Sequence, residues 1–90
     1  MLFNYNHEKN AWLLENRNIG FDEIIHSITQ GNLLDIKENT NPKYPNQGLM
    51  YVRVIDEVYV VPFVIEAGGV LFLKTLFPSR KARKYYETKF

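Results

Sequence analysis

The chain has 90 residues, enough for one small domain, and 46% of them are hydrophobic, which excludes a chain that is disordered by composition. It contains no cysteine, secretory signal or stretch of transmembrane length, so we expect a cytoplasmic protein without disulfides, cysteine-bound zinc or a membrane partner. The formal net charge is +1, but residues 1–73 hold five Lys/Arg against nine Asp/Glu, whereas residues 74–90 hold six against one.

The N-terminal part of the chain predicts a short edge strand and two helices. The strand covers residues 3–5, and Asn6 is a suitable N-cap for a helix that ends near Arg17. A second helix begins near Gly20 and ends at Gly31, because glycine tolerates the backbone of a helix C-terminus. Its buried face follows a spacing of three and four residues: Phe21, Ile24, Ile25 and Ile28.

The middle of the chain predicts a meander of strands. They cover residues 33–38, 49–55, 57–66 and 70–77. Tight hairpins are expected at Asp56-Glu57 and at Gly68-Gly69, and a turn-rich loop at residues 39–48. Pro62 lies inside a predicted strand and indicates a sheet edge or a bulge, since proline has no backbone N–H for the ladder.

Pro78 ends the last strand, and Ser79 caps a final helix. The order of elements predicts an α+β fold within a single domain, residues 1–90. We expect an antiparallel sheet of four to five strands, with two N-terminal helices and a C-terminal helix on one of its faces.

The start of the last helix suggests a phosphate site. Arg80 and Lys81 lie in the first turn, where the helix dipole is positive and a cation costs up to about 1 kcal/mol. Arg83 can pair with Glu87 one turn later, but Arg80, Lys81 and Lys84 have no acidic neighbour along the helix. Two interpretations follow. Either the negative charge that compensates these cations comes from outside the helix, or the cations form an ordinary solvent-exposed helix face.

Two further cations lie within predicted strands. Lys74 interrupts an apolar strand, and it is either a lysine that reaches water or a cation on the floor of a cleft. Arg53 shares a strand face with Tyr51, and it is either part of a cross-strand ion pair or a phosphate contact.

The last helix carries two adjacent tyrosines. Its half-apolar stripe is formed by Ala82, Tyr85 or Tyr86, Lys89 and Phe90. One of the two tyrosines is expected to pack and the other to present its hydroxyl. His7, at the start of the first helix, is a general acid or base candidate. His7 and His26 do not form a metal motif, and no metal or other cofactor is expected.

Three blocks of sequence resemble a known family, the BrnT-like toxins of bacterial type II toxin–antitoxin modules, which are small ribonucleases with a RelE-like fold. Residues 3–9 are similar to the family's opening, an aromatic-x-aromatic-Asp/Asn followed by a lysine. Residues 19–24 are similar to its second helix start, and residues 74–82 with Tyr85-Tyr86 to its closing block. The chain departs from the pattern at Arg17-Asn18, where the family has His-Gly, and at Pro78.

The resemblance implies RNA cleavage without a metal, in which the ribose 2′-hydroxyl attacks the adjacent phosphate. The protein supplies cations, an acid and a base. It also implies two contacts besides RNA: a cognate ribbon-helix-helix antitoxin, and operator DNA reached only through that antitoxin. The expected catalytic residues are Lys74, Arg80, Lys81, Arg53 and Tyr86, with His7 as a further proton-transfer candidate. The expected RNA-binding residues are Arg83, Lys84, Tyr85 and Tyr51.

Two other functions remain open from the sequence. One is an RNA-binding module that uses the same basic face but does not cleave RNA. The other is an interaction domain whose basic helix binds an acidic segment of a partner.

Overall fold

Strands and helices follow one another along residues 1–89, the part of the chain that the computed structural model describes, with the backbone alone of Lys89. The strands are β1 (Phe3–Tyr5), β2 (Leu33–Glu38), β3 (Gly48–Val54), β4 (Glu57–Ile65), β5 (Leu71–Leu73) and β6 (Phe77–Pro78). The helices are α1 (His7–Arg17), α2 (Phe21–Thr29) and α3 (Arg80–Tyr86), and short 3₁₀ turns cover Ala67–Gly69 and Glu87–Lys89. The side chain of Lys89 and all of Phe90, which were expected in the stripe of the last helix, lie outside the described residues.

The strands form one sheet in the order β1-β5-β4-β3-β2, and β6 also pairs with β4. The predicted α+β class is confirmed, including two N-terminal helices and a C-terminal helix. The sheet is mixed, because β1 runs parallel to β5 while the other neighbouring strands are antiparallel. Within residues 1–89, no helix has the length and apolar character needed to cross a bilayer.

The three helices do not share one face of the sheet, and that expectation was wrong. Helices α1 and α2 cover the face that carries Met50 and Val52, whereas α3 packs on the opposite face beside Tyr51 and Val58. Alternate residues of a strand point to opposite faces, so β3 and β4 supply both cores. One helix packs on the face of α3 and two helices pack on the other face, so the face of α3 has more accessible surface for a binding site.

The predicted caps are confirmed. Asn6 Oδ1 accepts a hydrogen bond from the backbone N–H of Lys9 at 2.9 Å, and Ser79 Oγ accepts one from Ala82 at 3.1 Å. These short-range bonds satisfy amide groups that the first turn of a helix leaves unpaired. They define where α1 and α3 begin.

The expected continuous strand over residues 70–77 is interrupted. Strand β5 ends at Leu73 and pairs with one part of β4, and β6 begins at Phe77 and pairs with another. Between them the N–H of Lys74 donates to the carbonyl of Pro62 at 2.8 Å. Pro62 cannot donate in return, which explains the irregularity at this point. Leu73 and Leu76 both enter the α1/α2 core, so strict alternation is lost between them.

The hairpin between β3 and β4 turns at Ile55 and Asp56, one residue earlier than expected. Ile55 has φ 57° and its side chain is 82% exposed. A positive φ at the first central residue is usual in two-residue hairpin loops, where glycine is favoured. For a β-branched residue this conformation is strained, at a cost of about 1–2 kcal/mol.

We therefore expect Ile55→Gly to stabilise the protein. The expected gain is about 1 kcal/mol, which corresponds to an increase in Tm of roughly 4–8 °C for a domain of this size. Thermal unfolding followed by circular dichroism measures it. The matched control is Ile65→Gly, since Ile65 is also exposed but ends a strand in ordinary extended conformation. That control should lower the Tm, and a lower Tm for Ile55→Gly would contradict the prediction.

Candidate nucleic-acid interface

A cleft of about 640 Å³ lies between α3 and the sheet. Its sheet side is formed by Lys37 of β2, Tyr51 of β3 and Val60 of β4. Its helix side is formed by Ser79, Lys81, Ala82, Lys84, Tyr85 and Tyr86. We call it the tyrosine cleft. It exists because α3 crosses only part of this face of the sheet.

Tyr86 anchors α3 to the sheet. The residue is 2% exposed, and its hydroxyl donates to Asp35 Oδ2 at 2.6 Å. Burial, together with the hydrogen bond to the Asp35 carboxylate, raises the pKa of Tyr86 well above the usual tyrosine range. Tyr86 therefore remains protonated and part of the core. The structure places this expected catalytic residue beneath the cleft.

Tyr85 is the tyrosine that is presented to solvent, with 69% of its surface exposed. Its ring lies edge-on against Tyr86, with ring centroids 4.8 Å apart and planes at 79°. Adjacent helical residues point about 100° apart, which explains why one tyrosine packs and the other does not. The contact with the buried ring holds Tyr85 at the mouth of the cleft.

Lys37 is a site residue that the sequence interpretation missed. Its ammonium nitrogen lies 5.2 Å from the ring centroid of Tyr85, 5.6 Å from that of Tyr51 and 5.9 Å from that of Tyr86. These are cation–π distances, so the rings hold the charge inside the cleft. The signal in the sequence was slight: a lysine two residues after Asp35 shares its strand face.

The cations of α3 divide between two sides of the helix. Lys81 and Lys84 line the tyrosine cleft. Arg80 and Arg83 lie with Lys84 around a separate groove that also contains two carboxylates, Glu57 of β4 and Glu87. Arg80 has no acidic neighbour along the helix, but the fold brings Glu57 to the same groove. The expectation that Lys84 lacks one was wrong, because Glu87 follows three residues later and lines this groove with it. Helix α3 has seven residues, so its dipole adds little and the lysines act as individual charges.

Three other predicted site residues lie away from this cleft. Lys74 is exposed and lines a different groove on the same face of the sheet, about 450 Å³ in volume. Arg53 is half-buried near the hairpin tip, where its Nε donates to the carbonyl of Ile55 at 2.8 Å. His7 is exposed at the start of α1 with its ring against Tyr5. Strand β1 beside it and β2, which carries Lys37, are opposite edges of the sheet.

The structure thus brings five residues of the predicted set to one cleft and adds Lys37 to them: Tyr51, Lys81, Lys84, Tyr85 and the buried Tyr86. It does not bring together Lys74, Arg80 and Arg53. Among the described residues there is no group of three or more His, Asp or Glu side chains placed to hold a metal ion. Comparison of the chain with protein-family models, with characterised proteins and with solved structures gives no match.

Proposed function

We propose that the chain is the toxin of a type II toxin–antitoxin module and that it cleaves single-stranded RNA in the tyrosine cleft without a metal. The observation that carries this proposal is the arrangement of three lysines, Lys37, Lys81 and Lys84, around the accessible ring of Tyr85. Cations bind the phosphate backbone, and aromatic rings stack on unpaired bases, which is the usual combination in single-strand binding.

The cleft contains groups suited to phosphodiester transfer. The 2′-oxygen forms a bond to phosphorus, the bond from phosphorus to the 5′-oxygen breaks, and lysine ammonium groups stabilise the charge on the phosphorane. The hydroxyl of Tyr85 donates its proton to the departing 5′-oxygen. Among the described residues that line the cleft there is no carboxylate or histidine side chain, so the proton of the 2′-hydroxyl passes to water.

The second candidate function is RNA binding without cleavage. It is favoured by the positions of the proton-transfer candidates: Tyr86 is buried against Asp35, and His7 lies at the opposite edge of the sheet. Of the three, only Tyr85 both lines the cleft and is exposed to solvent. If a phenol without a positioned base is insufficient for the reaction, the same surface holds RNA and does not cut it.

The sequence resemblance supplies the partner in this proposal. A ribbon-helix-helix antitoxin neutralises the toxin, and operator DNA is contacted by the antitoxin. A cytoplasmic location follows from an RNA target of this kind. Co-expression tests the partner directly: the product of a neighbouring short gene should restore growth and co-purify with this chain. An interaction domain without RNA would co-purify with its partner but would not slow growth alone.

The decisive variant is Tyr85→Phe, which keeps the ring and removes the hydroxyl. We expect RNA cleavage to fall by about 10²-fold or more, as on loss of a general acid, with RNA affinity unchanged within about threefold. Growth inhibition should disappear with cleavage. The matched control is Tyr59→Phe, because Tyr59 packs on the α1/α2 side of the sheet.

Three outcomes would count against the proposal in different ways. If Tyr85→Phe cleaves RNA as fast as the wild type, Tyr85 is not the general acid. A wild type that binds RNA and leaves it intact after long incubation would establish the second candidate. A wild type that neither binds RNA nor slows growth would reject both.

A further inference from the structure

The groove that contains Lys74 lies on the same face of the sheet as the tyrosine cleft. We call it the loop groove, because residues 39–47 form one wall and the sheet forms its floor. Val60 lines both the cleft and the groove. The two are therefore neighbouring parts of one surface, with α3 on one side and the loop on the other.

The strand register shows how far this surface extends. Lys37 pairs with Leu49, Leu49 pairs with Pro62, and the N–H of Lys74 bonds to the carbonyl of Pro62. Lys37, Leu49, Pro62 and Lys74 are thus successive neighbours across the sheet. Since neighbouring strands lie about 4.8 Å apart, the backbones of Lys37 and Lys74 lie about 14 Å apart. A lysine stands at each end of a continuous path across the sheet.

The loop groove has an aromatic pair at its rim. Tyr44 is 48% exposed and Phe77 is 39% exposed, and both line the groove. Both rings are therefore accessible to a ligand in the groove. They offer π faces at which a splayed-out base can stack.

The loop also presents amide groups in a defined orientation. Asn41 Oδ1 accepts from the N–H of Lys43 at 3.0 Å, and Gln47 Oε1 accepts from Asn39 Nδ2 at 3.5 Å. These bonds engage the amide oxygens of Asn41 and Gln47 and leave their NH₂ groups as donors. Because the N–H of Asn39 bonds to the carbonyl of Gln47 at 2.9 Å, the two ends of the loop are held together before any ligand arrives.

We infer that the loop groove reads the base next to the nucleotide held in the tyrosine cleft, an inference that rests on the proposed binding of RNA. Lys74 holds the connecting phosphate, Tyr44 and Phe77 stack on the base, and the NH₂ groups of Asn41 and Gln47 recognise acceptors on its edge. At position 4 of a pyrimidine or position 6 of a purine, uracil and guanine present a carbonyl oxygen that accepts from these groups, whereas cytosine and adenine present an amino group, which does not. The groove is then the source of sequence preference.

The test uses fluorescence anisotropy with 2′-O-methyl oligonucleotides of ten uridines or ten cytidines, which cannot be cleaved. We expect the wild type to bind the uridine probe about fivefold or more tightly. The double variant Asn41→Ala/Gln47→Ala should lose this preference and keep its affinity for the cytidine probe within about twofold. Tyr44→Ala should weaken both probes by about 5- to 10-fold through lost stacking. The matched control is Asn16→Ala/Gln30→Ala, an amide pair on the α1/α2 side.

Failure of this inference differs from failure of the proposed function. A wild type that binds neither probe rejects RNA binding altogether. A wild type that binds through Lys81 and Lys84 but shows no preference, or whose preference survives in the Asn41/Gln47 variant, overturns the inference about the groove alone. If the groove binds a protein partner instead of a base, we expect this same result: RNA binding without a base preference that depends on Asn41 and Gln47. Circular dichroism of each variant confirms that it is folded.

Discussion

The double variant Lys81→Ala/Lys84→Ala is expected to bind single-stranded RNA about 10- to 100-fold more weakly than the wild type. Both lysines line the tyrosine cleft and are exposed, so their removal takes away phosphate contacts without opening the core. The slope of log affinity against log salt concentration should become shallower by about 1.4, since a single strand loses about 0.7 for each phosphate contact. Filter binding or anisotropy at several salt concentrations measures both quantities.

The same variant should fold at least as well as the wild type. Both lysines are exposed on α3, and alanine is the better helix former. The charge-matched control is Lys9→Glu, which also lowers the net charge by two, at a lysine of α1 outside both the tyrosine cleft and the loop groove. Equal losses of affinity in both variants would mean that RNA responds to net charge alone, and the proposed site would be wrong.

Replacement of Tyr86 by alanine is expected to lower the free energy of unfolding by about 3–5 kcal/mol, whereas Tyr85→Ala should change it by less than about 1 kcal/mol. Tyr86 is buried between α3 and the sheet, and Tyr85 is exposed. Tyr86→Ala leaves a cavity and removes the hydrogen bond to Asp35. Urea unfolding followed by circular dichroism compares the two neighbours in one experiment.

Tyr86→Phe separates the ring from the hydroxyl. It keeps the packing and loses one hydrogen bond to a carboxylate, so we expect an intermediate loss of about 1–3 kcal/mol. The RNA measurements should show the opposite order, with Tyr85→Ala weakened by lost stacking and Tyr86→Phe little changed. Equal loss of stability at both positions would contradict the assignment of Tyr86 to the core and Tyr85 to the surface.

The local features of the fold follow from the sequence because they depend on neighbouring residues. Asn6 and Ser79 cap helices through bonds that span three residues, and Gly31 and Gly68 adopt the positive φ expected of them. The alternation around Met50 and Tyr51 correctly separates the two faces of β3. Each of these signals lies within a few positions of the structure that it determines.

The candidate site was only partly predictable. Lys81, Lys84, Tyr85 and Tyr51 were identified as RNA-binding or catalytic candidates, because a basic helix with tyrosines is a local pattern. Lys37 was missed, because its position above three rings requires β2 to lie beside β3. The sequence also grouped Lys74 with Arg80, whereas the structure places them in different grooves. Their separation depends on the tertiary structure and not on a local pattern.

The sequence by itself determined the order of elements except for the break between β5 and β6, together with the caps, the hairpin glycines and the basic character of residues 74–90. These depend on backbone stereochemistry and on short-range hydrogen bonds. The tertiary structure alone decided that α3 lies opposite α1 and α2, that Glu57 approaches Arg80 and Arg83, and that Tyr86 rather than Tyr85 is buried. These depend on contacts between residues far apart in the chain, whose pairing follows from burial of the whole core and not from any local spacing.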